Sequence, residues 1–217
     1  MYVDTHCHLN LDRFKNNKEE VIKAAREAGV NDLIIPGVDV KSSIEAIKIA
    51  ADYPNIYPTV GIHPGYKVDG EWLDEARKID ELVENHDSIV AIGEIGLDRT
   101  YLKDDVERRD TYEIQKKLFI YQLGLAVKHN TSLIIHSRQA IEDTIEIRQK
   151  YWGTSLESHT VFHCCEPDLD LLDFAKGHKM FVGVDGDVTY DQRKQWYIEG
   201  VPLDMLVLET DAPFLLP

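Results

Sequence analysis

Two hydrophobic periods alternate along this chain. Short runs rich in β-branched and aromatic residues recur, and between them lie stretches that are apolar at three- and four-residue intervals. The runs predict eight strands: Tyr2–Asp4, Leu33–Val38, Tyr57–Gly61, Ile89–Glu94, Leu133–His136, Val161–His163, Met180–Val184 and Leu206–Glu209. The intervening patterns predict helices, among them Lys18–Ala28, Ser42–Ala51, Trp72–Glu84, Tyr112–Lys128, Ile141–Lys150 and Leu169–Lys176. Repeated βα units imply parallel strands with right-handed crossovers, and eight of them imply closure into a (β/α)8 TIM barrel of the α/β class. An open doubly wound sheet is the alternative, but the sequence has neither a Gly-x-Gly-x-x-Gly turn nor a Walker loop. Because the sequence stops at Pro217, directly after the eighth strand, the expected barrel lacks its final C-terminal helix and is open on that flank.

The 217 residues suit one domain and leave no room for two with linkers, so a single unit over 1–217 is expected. Hydrophobic residues at 43% and charged residues at 29% are globular proportions. No apolar stretch reaches the roughly 18 residues of a membrane span, and no basic, apolar leader opens the chain. Three cysteines match neither a disulfide framework nor a structural zinc pattern, which makes the cytoplasm the expected location. A net charge of −15 disfavours nonspecific binding to polyanions. Bound divalent cations invert that sign locally, so a nucleic-acid substrate stays open.

In a βα barrel, functional side chains project from the C-terminal ends of the strands. His6 and His8 end the first strand two residues apart, so both imidazoles face the barrel mouth as a chelating pair, while Cys7 between them faces the outer layer. Glu94, His136, His163 and Asp211 end four other strands. Nitrogen and oxygen donors without thiolates suit one or two ions of the Zn, Mn, Ni or Mg kind. Glu94 can bridge two such ions, and Asp211 can both bind metal and accept a proton from an attacking water, which gives both a catalytic role. His63 and Arg138 stand beside these ligands and suit an anionic substrate group, Arg138 through its planar fork of donors. The charged run Lys103–Asp110 is expected as a solvated loop leading into a helix. The cysteines are read as packing thiols without chemistry.

In order, the motifs Asp4-Thr5-His6-Cys7-His8, Gly61-Ile62-His63-Pro64, Gly93-Glu94-Ile95-Gly96-Leu97-Asp98, His136-Ser137-Arg138, His163-Cys164 and Glu209-Thr210-Asp211-Ala212-Pro213 resemble those of the TatD family of metal-dependent deoxyribonucleases. The resemblance covers nearly the whole chain. It implies a single hydrolase domain of the amidohydrolase barrel type, working as a 3′–5′ exonuclease on DNA, in repair or turnover, with two divalent ions (Mg, Mn or Zn). His6, His8, Glu94, His136, His163 and Asp211 fall at the family's metal ligands, and His63 and Arg138 where it approaches substrate phosphate. RNA is a further candidate substrate. A monomer is expected, with the unclosed flank as a route to self-association. The alternatives are an amide or ester hydrolase on the same scaffold, such as a deacylase of aminoacyl-tRNA, and an inactive truncated form.

Overall fold

The computed structural model describes residues 1–66, 72–102, 105–151 and 156–215, with side chains throughout these except at 105–109. Eight parallel strands follow one another in chain order as neighbours in one sheet: β1 (Tyr2–Asp4), β2 (Val30–Ile35), β3 (Ile56–Val60), β4 (Ala91–Asp98), β5 (Ser132–Arg138), β6 (Thr160–Phe162), β7 (Phe181–Val184) and β8 (Leu206–Leu208). Between them run α1 (Lys18–Glu27), α2 (Val40–Asp52), α3 (Trp72–Asn85), α4 (Asp105–His129), α5 (Ile141–Lys150), α6 (Leu169–Gly177) and α7 (Gln192–Glu199). This is the expected TIM barrel. The charged run from Lys103 falls at the start of α4, and its side chains through position 109 lie outside the described residues.

The open flank is corrected in one respect. β8 and β1 carry no regular ladder, yet their C-terminal extensions join through Thr5 N–H to the Leu208 carbonyl (3.0 Å), Asp211 N–H to the His6 carbonyl (2.9 Å) and His8 N–H to the Ala212 carbonyl (2.7 Å). Closing the ring at this end needs only backbone edges, which no outer helix supplies. Asp4 reinforces the seam, accepting from Thr210 N (3.1 Å), Thr210 Oγ1 (2.7 Å) and His6 N (3.1 Å). The outer faces there do remain uncovered among the described residues: Val3 is 43% exposed and Leu208 49%.

The main core lies between the strands and α3 to α6, with Ile79, Ile95, Leu97, Phe119, Leu123, Ile135 and Val182 fully buried. A smaller cluster under α1 and α2 holds Cys7 with Ile22, Leu33, Ile35 and Ile49, which accounts for this thiol as packing. Two glutamines of α4, seven residues apart and so on one face of the helix, serve the loops that carry the site. Gln122 both accepts from Ile62 N (2.8 Å) and donates to Ile62 O (3.1 Å). Gln115 accepts from Asp98 N and donates to the carbonyls of Asp98 and Pro64, all within 3.1 Å. At about 1 kcal/mol each, such bonds fix the ends of β3 and β4 against the helix.

Candidate metal centre

Glu94 stands at the middle of the barrel mouth, almost fully buried, on a strand buried along its whole length. Its position depends on Gly96, whose φ of +148° and close approach to β5 exclude a side chain: an added Cβ would sit 1.9 Å from the His136 carbonyl oxygen. The two carboxylate oxygens of Glu94 face different imidazoles. Oε2 lies 3.4 Å from His6 Nε2 and 3.6 Å from His8 Nε2. Oε1 lies 2.8 Å from His136 Nδ1, 3.5 Å from His163 Nε2 and 3.4 Å from His63 Nε2.

Asp211 completes the His6–His8 side, with Oδ1 3.3 Å from His8 Nε2 and 3.8 Å from His6 Nε2; the nearest His163 nitrogen is 4.0 Å away. It follows β8 with a φ of +51°, a left-handed conformation rare outside glycine, and Cys164 after His163 has a φ of +42°. Such backbone persists where the surroundings over-determine it, and both cases sit at the mouth. The rings of His6 and His163 stack 3.5 Å apart, and the Nε2 atoms of His6 and His8 are only 3.1 Å apart. All six expected ligands thus converge, and sets such as His6–His8–Asp211 and His63–Glu94–His136 place their donor atoms within 4.8 Å of one another. A divalent cation fits this donor set, since nitrogen lone pairs and carboxylate oxygens crowded in a buried space need positive charge between them.

Three carboxylates beyond those expected support the ligands. Asp98 Oδ2 lies 2.8 Å from His136 Nε2 and fixes that ring with its other nitrogen toward Glu94. Burial opposes a charge on His136, but Asp98 and Glu94 outweigh it and raise the imidazole to about 9. Glu209 Oε1 lies 3.1 Å from His163 Nδ1, out of line for a hydrogen bond, and accepts from Cys164 N–H. Burial pushes Glu209 up to about 8. Its space exists because β7 has Gly183 there, where a Cβ would meet the carboxylate at 2.5 Å. Asp4, at the seam described above, is the third. Burial also drives His163 well below the usual histidine range, helped by the neighbouring His6, so one ring nitrogen keeps its lone pair available to a metal. Burial alone would raise Glu94, but His63, His163 and His6 hold it well below the ordinary carboxylate range.

His63 and Arg138 occupy the same cleft, of about 470 Å³. Gly65 N–H donates to His63 Nδ1 (2.9 Å), which places the proton of the neutral ring on Nε2, facing the cleft. His63 is therefore built as a donor beside the metal centre. Arg138 donates to the Cys164 carbonyl (2.9 Å) and contacts its Sγ, so its fork is braced against the β6 loop. Cys164 and Cys165 are buried free thiols.

Comparison with known proteins extends this geometry. A family model described as TatD related DNase matches residues 3–217. The metal-dependent hydrolase YabD of Bacillus subtilis is 32% identical, with the whole of this chain matching 82% of that protein. A protein of Erwinia tasmaniensis named 3′-5′ ssDNA/RNA exonuclease TatD is 34% identical over 99% of this chain and 80% of its own length. Among solved structures, the TatD homologue YJJV of Escherichia coli superposes with a TM-score of 0.86 at 28% identity, covering 98% of this chain and 80% of the other.

Proposed function

The chain belongs to the family of TatD-related DNases and is a metal-dependent hydrolase, and on that premise we propose that it removes nucleotides from the 3′ end of single-stranded DNA, with RNA as a second substrate. Two divalent cations of the Mg, Mn or Zn kind would supply Lewis acidity and an activated water at the scissile phosphate. His6, His8, Asp211 and Oε2 of Glu94 would hold one of them, and His136, His163 and Oε1 of Glu94 the other. The observation that carries this reading is the division of the Glu94 oxygens between two sets of imidazoles, at 3.4–3.6 Å on one side and 2.8–3.5 Å on the other.

The protein's own groups divide the remaining work. Asp211, which lines the cleft, takes the proton of the attacking water. His63 offers its Nε2 proton to a non-bridging phosphate oxygen, and Arg138 offers the donors of its fork that Cys164 leaves free. Asp98 orients His136, and Glu209 holds the backbone that follows His163 through Cys164 N–H. In this reading one hydrolase unit spans residues 1–217 and works as a cytoplasmic monomer, with the uncovered β1–β8 flank as the surface where copies can meet. Among the described residues, no helix is long and apolar enough to cross a membrane.

Metal-stripped protein given Mg, Mn or Zn should shorten a 3′-labelled single strand by releasing the label first, and a Glu94→Ala variant should fall to the level of the stripped protein. Internal cuts or release from the 5′ end would contradict the polarity. Cleavage of an aminoacyl ester with DNA left intact would favour the acyl hydrolase instead.

A further inference from the structure

Three exposed aromatic rings rim the metal cleft: Tyr66, Tyr101 and Phe214. The negative charge of Asp39 raises the Tyr66 phenol above its ordinary range, whereas the other two rings pack against histidines of the cleft. Phe214 meets His8 edge-on with centroids 5.2 Å apart, and Tyr101 meets His63 edge-on at 6.0 Å. Tyr101 lies on the backbone of Gly65, where an added Cβ would strike its ring at 2.5 Å. His8 lies 3.6 Å from Oε2 of Glu94 and His63 lies 3.4 Å from Oε1, so the two rings belong to opposite ends of the bridging carboxylate. They therefore bracket the place of the scissile phosphate.

Charge gives the rings their importance. Among the described residues lining the cleft, Arg138 is the one Lys or Arg, set against Glu94, Asp98 and Asp211, in a chain of net charge −15. A polyanionic strand gains little from such a rim beyond what the metals provide. Stacking of a base on an aromatic ring is worth about tenfold or more in affinity, for any base.

Resting on the phosphodiesterase reading above, we infer that Phe214 and Tyr101 are the stacking partners of the two nucleobases flanking the scissile phosphate. Each base must leave its neighbour to reach its ring. A single strand allows this at small cost and a duplex does not, so the pair selects unpaired ends.

The test is steady-state hydrolysis of a short single-stranded oligodeoxynucleotide by metal-loaded enzyme, beside the same strand with abasic residues on both sides of the scissile phosphate. Phe214→Ala and Tyr101→Ala should each raise KM on the normal strand about tenfold with kcat little changed, and Tyr101→Phe should behave as the parent. On the abasic strand, which lacks both bases, the parent should already show the loss of both contacts, a KM raised about a hundredfold, and the alanine variants should add nothing further. Variants that match the parent on the normal strand, or that lose as much again on the abasic one, would overturn the stacking assignment alone. A parent enzyme that leaves single strands intact with every metal would overturn the phosphodiesterase reading, and this inference with it.

Discussion

On the β4–β5 side of the metal centre, Glu94, Asp98 and His136 project from strands sealed on their outer face: α4 packs on β4 and α5 on β5, and every residue of β4 is buried. On the β8–β1 side, His6, His8 and Asp211 project from the segments that follow two three-residue strands, whose outer faces expose Val3 and Leu208. The first group of ligands is held by apolar packing, the second by a polar seam in which one carboxylate, Asp4, binds three donors. Packing is lost in steps of several kcal/mol for each large side chain removed, whereas a seam is lost in steps of about 1–2 kcal/mol for each hydrogen bond removed. The two halves of one site should therefore fail differently.

The largest effect lies on the packed side. Phe119→Ala in α4 removes a fully buried ring from the main core and should cost about 3–5 kcal/mol in urea unfolding, at unchanged metal stoichiometry in the fraction that stays folded. Asp98→Asn should leave the fold intact while weakening the metal at His136 by about 10–100-fold, measured by competition with a chelator; the ion at His6 and His8 should be unaffected. Thr210→Val removes the hydroxyl that donates to Asp4 and accepts from Ala212 N–H and should cost about 1–2 kcal/mol of stability, with any loss of metal affinity confined to the His6–His8 side. Equal losses on both sides in the last two variants would show that the halves are one cooperative unit.

The sequence made the convergence of the candidate ligands legible because strand side chains alternate: residues two apart at a strand end share a face, so His6 with His8 and the ends of four other strands could be placed at one mouth. The same parity marks Asp98, four residues beyond Glu94, and Glu209, two before Asp211. These supporting carboxylates passed as ordinary motif residues because their partners lie on neighbouring strands, His136 on β5 and His163 after β6. β4 was expected to stop at Glu94 and runs on to Asp98, since Gly93 and Gly96 interrupt the apolar run without ending the pairing with β5. The seam was the least legible element. It joins residues 206 apart through backbone groups and Asp4, and no periodicity records such a contact. The donor role of His63 likewise depends on a backbone N–H, that of Gly65, which residue types alone do not reveal.

The proposed division of one mouth into two metal sites by Glu94 is tested most directly by counting metal. Stripped protein reloaded with Zn or Mn and freed of excess ion should retain two equivalents per chain, His136→Ala one, and Glu94→Ala less than either. A single equivalent in the unsubstituted protein, or equal content in it and His136→Ala, would contradict the account.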